Sequence, residues 1–305
     1  MKLKKLAFSQ IIFASLFFAT IPIFSTLLSI EGISSLEQSV LRLIFSSAIL
    51  FAFIYLSKTK LHFNRKDSKL FFLYGFFISM SFFSYLSSIS LGTPVGEAVF
   101  LTYTQPIFAI ILAKIFLSER IDKSKILAIL LSVLGVVLII RLWEVKSFGL
   151  SLLGDIFAIS NGFFYAAYIV VGRYFGTKGN YNHFVSTFWS FTFGAFWLFL
   201  LSILSHFFVF DKVLGNFSFS LSEMSWMYLI GLSVVSTVIP YLLLNSGLKR
   251  ISASNAGIIL LVEPVFATIL GALIFHQILT LWHILGSILI ALSVFIVYHK
   301  RETNR

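Results

Sequence analysis

The chain has 305 residues, 58% hydrophobic and only 11% charged, with 37 phenylalanines and a mean hydropathy of +0.97; soluble domains carry about 25% charged residues, so a soluble globular enzyme is excluded. A net charge of +11 would raise nucleic acid as the partner of a soluble protein, but here the bases stand between apolar stretches, as topology signals and contacts with anionic membrane lipid, and no nucleic acid is expected. Cysteine is absent, which removes disulfides, thiolate nucleophiles and Cys-ligated metals.

A bilayer core of about 30 Å takes about 20 apolar residues per helix. Charges and turn residues divide the chain into ten such segments, at 8–28, 36–57, 70–91, 95–117, 125–141, 151–173, 182–207, 224–247, 253–275 and 281–299. The first follows Lys2, Lys4 and Lys5 as a signal peptide would, but it is too long for an h-region and lacks a small-residue cleavage site, so it reads as a membrane helix. In lipid only helices and closed barrels satisfy their backbone, and barrel strands alternate with a period of two. These segments do not alternate. The expected fold class is an all-α integral membrane protein of ten transmembrane helices.

Assigning the loops alternately to two sides gives one side 18 Lys and Arg and the other only Arg141, Lys146 and Lys212. The positive-inside rule then puts both termini in the cytoplasm, in a multi-pass protein of the inner membrane, with the 58–69 loop cytoplasmic and the 208–223 connection outside.

Residues 95–140 align without a gap on 253–298, with 11 identities in 46 positions at an offset of 158. The specific part is Gln105-Pro106-Ile107-Phe108-Ala109 against Glu263-Pro264-Val265-Phe266-Ala267, a proline at the same mid-helix place in both. Gly75, Tyr85, Leu86 and Ser90 likewise match Gly231, Tyr241, Leu242 and Ser246 at an offset of 156. Two five-helix copies, 1–148 and 149–305, follow. Because five is odd, the copies face opposite ways, and the loop charges agree. The basic turn Glu119 to Lys125 corresponds to Gln277 to His283, which has no Lys or Arg, while base-free Gly92-Thr93-Pro94 corresponds to a turn carrying Lys249-Arg250. Inverted repeats with binding at the midplane are a secondary-transporter design.

The runs Ser254-Asn255-Ala256 to Glu263-Pro264-Val265-Phe266-Ala267, Phe116-Leu117-Ser118-Glu119-Arg120 and Val40-Leu41-Arg42-Leu43-Ile44 resemble the EamA branch of the drug/metabolite transporter superfamily, and the similarity covers essentially the whole chain. The resemblance implies export or exchange of a small molecule and a pocket lined by helices 1, 3, 4, 6, 8 and 9, with helices 5 and 10 outside it. It is nearly silent on substrate. At His276-Gln277 the chain departs from the acidic residue common in the second copy of such proteins, so no ion-linked role carries over there.

Ionisable residues inside a membrane helix are costly and by default face a bundle or cavity. Glu263 is the only Asp or Glu near the middle of a predicted span, and Pro264 beside it frees the carbonyl of Leu260. Two readings stand: a binder of a cationic group or a proton, and a carboxyl that merely orients the bend. Its repeat mate Gln105 cannot titrate. Glu37, Glu97 and Asp155 fall near helix ends. Arg42 suits a side chain that snorkels to the interface better than one that touches ligand. The polar set Tyr85, Tyr103, Asn161, Tyr165, Tyr168, Trp189, Tyr241, Asn245 and Asn255 forms either a pocket among apolar walls or interfacial and interhelical contacts. From it Glu263, Gln105, Tyr85, Tyr241, Tyr165, Asn161, Asn255 and Trp189 are the expected substrate-binding residues. Ala109 and Ala113, repeated as Ala267 and Gly271, have the small-xxx-small spacing of a helix crossing.

No H-E-x-x-H, nucleophile elbow, P-loop or dinucleotide fingerprint occurs. No catalytic residue, metal or cofactor is therefore expected, and the chain is not expected to be an enzyme. Transport would run down a gradient or by coupling to protons, sodium or a counter-substrate. A small-molecule substrate that is an amine, an amino acid or a cofactor of that type fits a lone mid-span carboxylate among aromatics better than a dicarboxylate does. The alternatives are a lipid-handling membrane protein and a non-transporting scaffold or sensor.

Overall fold

A computed structural model describes residues 2–62, 64–145, 149, 151–179, 181–207 and 221–303. Lys146, Lys212, Arg305 and almost all of the 208–223 connection lie outside the described residues. Among those described there is no strand, and ten helical stretches are long and apolar enough to cross a membrane. Span 1 consists of α1 (Lys2–Phe18) and α2 (Ile21–Ile30), span 2 of α3 (Ser35–Leu56) and span 3 of α4 (Ser68–Ser90). Span 4 consists of α5 (Val95–Thr102) and α6 (Gln105–Leu117), and span 5 of α7 (Lys123–Ile140). Spans 6 and 7 are α8 (Leu152–Thr177) and α9 (His183–Phe207). Span 8 runs through α10 (Glu223–Ser233), a π turn (Val234–Val238) and α11 (Ile239–Leu248). Span 9 consists of α12 (Ala253–Leu260) and α13 (Glu263–Phe275), and span 10 is α14 (Leu281–Thr303).

Four spans are interrupted, each next to a proline: those at Pro106 and Pro264, which the repeat marks in the sequence, and two more at Pro22 and Pro240. A proline lacks the N–H that would bond four residues back, and its ring crowds that carbonyl. Pro106 and Pro264 each stand second in the helix that follows a two-residue turn, Tyr103-Thr104 or Leu261-Val262, and Pro22 does the same after Ala19-Thr20. Before Pro240 the chain instead widens into the π turn, whose Ser236 hydroxyl meets that of Thr20 at 2.6 Å. The breaks in spans 1 and 8 are thus joined.

The repeat is visible in the backbone. The starts of α5, α6 and α7 recur 158 residues later as those of α12, α13 and α14. Ser118 and His276, at the same offset, close α6 and α13 in the left-handed conformation with φ 57 and 52. The following N–H in each, Glu119 or Gln277, returns to the carbonyl six residues back, that of Ala113 or Gly271.

Spans 5 and 10 pack lengthwise. A Cβ on Gly135 would lie 2.7 Å from the Gly286 carbonyl, and one on Gly286 2.5 Å from that of Gly135, so glycine is what permits the two backbones to touch. Spans 3, 6 and 7 form a second packed group. Phe8 of span 1 meets Tyr298 of span 10 edge-on at 4.9 Å, which puts both termini at one end of the bundle.

That end is tied shut. The Glu119 carboxylate caps the start of α12, accepting from the Ala253 N–H at 2.7 Å, the Ser254 N–H at 3.2 Å and the Ser254 hydroxyl. Lys125 Nζ donates to Ser254 Oγ at 2.7 Å. Arg173 donates to the Leu248 carbonyl at 2.5 Å, and Tyr181 to Asp67 at 2.7 Å. Burial, and then Asp67, push the Tyr181 phenol up to about 12, so this bond persists at neutral pH. Deeper in, the Asn245 amide donates to Tyr168 and Thr187 and its oxygen accepts from Tyr74, joining spans 3, 6, 7 and 8.

Candidate functional site

Beyond that network the bundle opens into a cavity of 410 Å³. Its lining comes from mid-span and from the end opposite the termini, and reaches Ser35, which is exposed at the start of span 2. Phe18, Thr102 and Leu260, whose carbonyls the three prolines release, all line it. The proline breaks of spans 1, 4 and 9 therefore lie against this cavity, the kind of place where interrupted backbone is tolerated in a membrane protein.

Glu263 lines the cavity at the break of span 9, and among the described residues no group bonds to its carboxylate. Tyr85, Tyr103, Tyr165 and Tyr241 line the same cavity, each within electrostatic range of that carboxylate. Among the described residues none of the four hydroxyls has a hydrogen-bond partner. Tyr241 is fixed by edge-on contacts with Phe18 at 4.9 Å and Phe191 at 5.3 Å. The result is a set of aromatic side chains and hydroxyls around an acidic group, suited to a cationic group or a proton.

Arg42 is also in the lining and only 6% exposed. Its Nε donates to Thr237 Oγ1 at 3.1 Å, and Thr237 in turn donates to the Leu232 carbonyl across the π turn. The guanidinium carbon lies 4.1 Å from the Phe82 ring centroid. Nη2 has no partner. This corrects the snorkelling expectation: Thr237 and Phe82 hold the side chain inward, where it could not reach the interface.

Gln105 lies at the break of span 4, buried, with Nε2 unpaired. Asn161 donates to the Ser81 carbonyl at 2.6 Å. At the break itself span 6 passes very close: a Cβ on Gly162 would lie 2.9 Å from the Thr102 carbonyl and 3.2 Å from the Gln105 nitrogen. Gln38 ties spans 1 and 2, accepting from the Ser25 hydroxyl and donating to the Ile33 carbonyl.

The profile of the EamA-like transporter family matches the chain twice, over residues 5–141 and 152–299. The chain belongs to this family. Among similar proteins, an uncharacterized transporter of Archaeoglobus fulgidus is 30% identical over 217 residues, 71% of this chain and 72% of its own length. The uncharacterized transporter YdfC of Bacillus subtilis is 29% identical, covering 89% and 84%. Solute carrier family 35 member F5 of Mus musculus is 36% identical over 107 residues, 34% of this chain and 20% of the mouse protein. A solved crystal structure with 17% identity superposes with a TM-score of 0.78 over 95% of each chain, so the ten-helix arrangement is a known fold. The protein is a multi-pass membrane transporter.

In this EamA-family transporter, six of the eight residues expected from the sequence meet in one cavity: Glu263, Gln105, Tyr85, Tyr241, Tyr165 and Asn161. Two do not. Asn255 sits in the first turn of α12, toward the closed end, and Trp189 stacks on Phe193 at 5.6 Å within span 7. Polarity alone could not tell these from lining residues. The expected set of lining helices also changes, because span 2 contributes Ser35, Gln38, Ser39 and Arg42, and the end of span 5 contributes Ile139 and Ile140. Glu97 and Asp155 serve the turns instead, accepting from the Gly149 N–H at 2.8 Å and the Thr93 hydroxyl at 3.0 Å. The small residues of span 4 cross α12 at Gly257, whose Cβ would lie 3.1 Å from that of Ala109, and Gly271 packs against Gln277. Ala109 thus lies where a helix of the first half crosses one of the second, whereas Gly271 meets Gln277 just beyond its own helix.

Proposed function

We propose that the protein is a secondary transporter that moves a small polar or amphipathic metabolite bearing an amine, of amino-acid or cofactor-like size, across the inner membrane by alternating access between two inverted five-helix repeats, 1–148 and 149–305. The observation that carries this reading is Glu263, a carboxylate without a partner, at a helix break, in an aromatic cavity between the two repeats. An unpaired charge at this depth is costly. Its retention makes sense if a cation or proton comes to it.

Alternating access is supported by an asymmetry between equivalent halves. Toward the termini α6 packs on α12, whereas the repeat-related pair toward the other end, α5 and α13, stands apart with the cavity between them. Glu119 caps α12, while its repeat mate Gln277 is exposed and folded back onto Gly271. With the termini cytoplasmic, as the 18 to 3 distribution of bases suggests, the cavity faces outside. In the opposite state α5 would pack on α13 and Gln277 would meet the uncapped start of α5. Export or exchange, driven by protons or a counter-substrate, fits a chain without a nucleotide motif.

Purified protein in liposomes should show saturable, counterflow-competent uptake of a labelled amine or amino acid, altered by an imposed pH gradient if Glu263 carries the proton. Absence of saturable flux across a panel of amines, amino acids and dicarboxylates would reject the reading in favour of a scaffold.

A further inference from the structure

We infer that Arg42 is the receptor for an anionic group of the substrate, so that the site takes a zwitterion: a carboxylate held by Arg42 and an ammonium held by Glu263, with an apolar side chain against the remaining walls. This deepens the proposed transport function and rests on it. Three observations carry the assignment.

The guanidinium is bound by one edge only. Nε is used by Thr237 and one face by Phe82, while at the edge with both terminal nitrogens Nη2 is buried without a partner and Nη1 makes no hydrogen bond among the described residues. That edge is the planar fork that takes a carboxylate bidentately. A structural arginine in a membrane would be expected to spend those donors on carbonyls or an acid.

The acid within the same cavity does not neutralise it. No ion pair joins Arg42 to Glu263, and each is instead within electrostatic range of Tyr165 and Tyr241. Arg42 and Glu263 line one cavity together with Tyr165 and Tyr241. A fold selecting for stability alone would close such a pair or replace it with apolar groups; separated and unpaired, they form a template for a ligand of the same dipolar pattern.

The remaining walls are apolar, among them Phe18, Phe82, Leu86 and Ile140. A volume of 410 Å³ accommodates an amino acid with a large apolar side chain and excludes little of that size. This changes the ranking reached from sequence, in which a lone carboxylate favoured amines as much as amino acids: the amine without an acid group becomes the poorer ligand.

Binding of three matched probes to the purified full-length protein tests the inference: L-phenylalanine, phenethylamine, which lacks the carboxylate, and 3-phenylpropionate, which lacks the amine. Wild type should prefer phenylalanine over each of the others by about ten- to a hundredfold, the range of one charge-assisted hydrogen-bonded contact. Arg42→Gln should bring phenylalanine down to the affinity of phenethylamine while leaving phenethylamine unchanged, and Arg42→Lys should restore part of the difference. Equal binding of phenylalanine and phenethylamine by wild type overturns the inference with no variant needed, so misfolding of Arg42→Gln cannot shelter it. An equal loss of both ligands in a folded Arg42→Gln protein also overturns it, making the arginine a positioning residue for the π turn. Saturable phenethylamine transport without discrimination would leave the transport function standing and remove only the role of Arg42. Failure of all three probes to bind or move would remove both.

Discussion

Glu263 and Arg42 are the acidic and basic residues of the cavity lining; among the described residues the Glu263 carboxyl has no hydrogen-bond partner and Arg42 Nη2 has none, whereas Gln38, Asn161 and Asn245 are tied to neighbours. Desolvation makes an unsatisfied charge far more expensive than an unsatisfied amide. Glu263→Gln keeps shape and hydrogen-bonding capacity but removes the charge, and so separates binding from bend orientation. If Glu263 pairs with the substrate amine, the variant inserts and folds normally and loses about ten- to a hundredfold in affinity, the scale of one charge-assisted hydrogen bond. Wild-type flux and pH dependence in well-folded Glu263→Gln protein would leave the residue structural, a role that Gln105-Pro106 in the first copy already performs without a titratable group.

At the scale of elements, the cavity exists because short half-helices meet at proline breaks and are held at set distances. Gly162 sets one of these distances, since a methyl group there would press on the backbone of the span 4 break, which cannot rotate away as a side chain could. Gly162→Ala should cost about 1–3 kcal/mol by overpacking, seen as a lower Tm in detergent, and should weaken ligand binding more than Gly32→Ala, where a Cβ would meet no atom within 4 Å, although the positive φ of Gly32 brings backbone strain of its own. Glu119 holds the closed end by capping α12 from another element, with Lys125 beside it. Removing a helix cap costs about 0.5–2 kcal/mol, enough to shift a balanced two-state equilibrium by roughly two- to thirtyfold. Glu119→Ala should therefore raise the reactivity of a cysteine placed at Ile258, buried against Ile110, toward a reagent supplied from the side of the termini. Unchanged reactivity would exclude Glu119 from the gate.

For the whole molecule, the absence of cysteine gives topology a clean test. A cysteine at Lys66 should react with an impermeant reagent only from the cytoplasmic side, and one at Glu223, at the start of span 8, only from outside; the reverse pattern would invert the orientation derived from loop charges. The ten spans, their approximate ends and the doubling of the chain were legible in the sequence, because lipid forces each backbone to satisfy itself within a contiguous apolar stretch and because descent from one copy leaves Gln105-Pro106 and Glu263-Pro264 in register. Two of the four breaks were legible by the same register; those at Pro22 and Pro240 lay in segments whose apolar run gave no other sign of interruption. Which polar residues converge was not legible. Helices apolar on nearly every face carry little periodic signal to mark the inward side, so Asn255 and Trp189 were indistinguishable from Asn161 and Tyr165, and Arg42 read as an interfacial base. Rotation and crossing of the helices decided that question, through backbone contacts at glycines such as Gly135 and Gly286 and through Thr237 and Phe82 around Arg42. Sequence determined that the chain is a ten-span membrane protein with two similar halves; only the packing of one span against another decided where its polar groups meet and which end is closed.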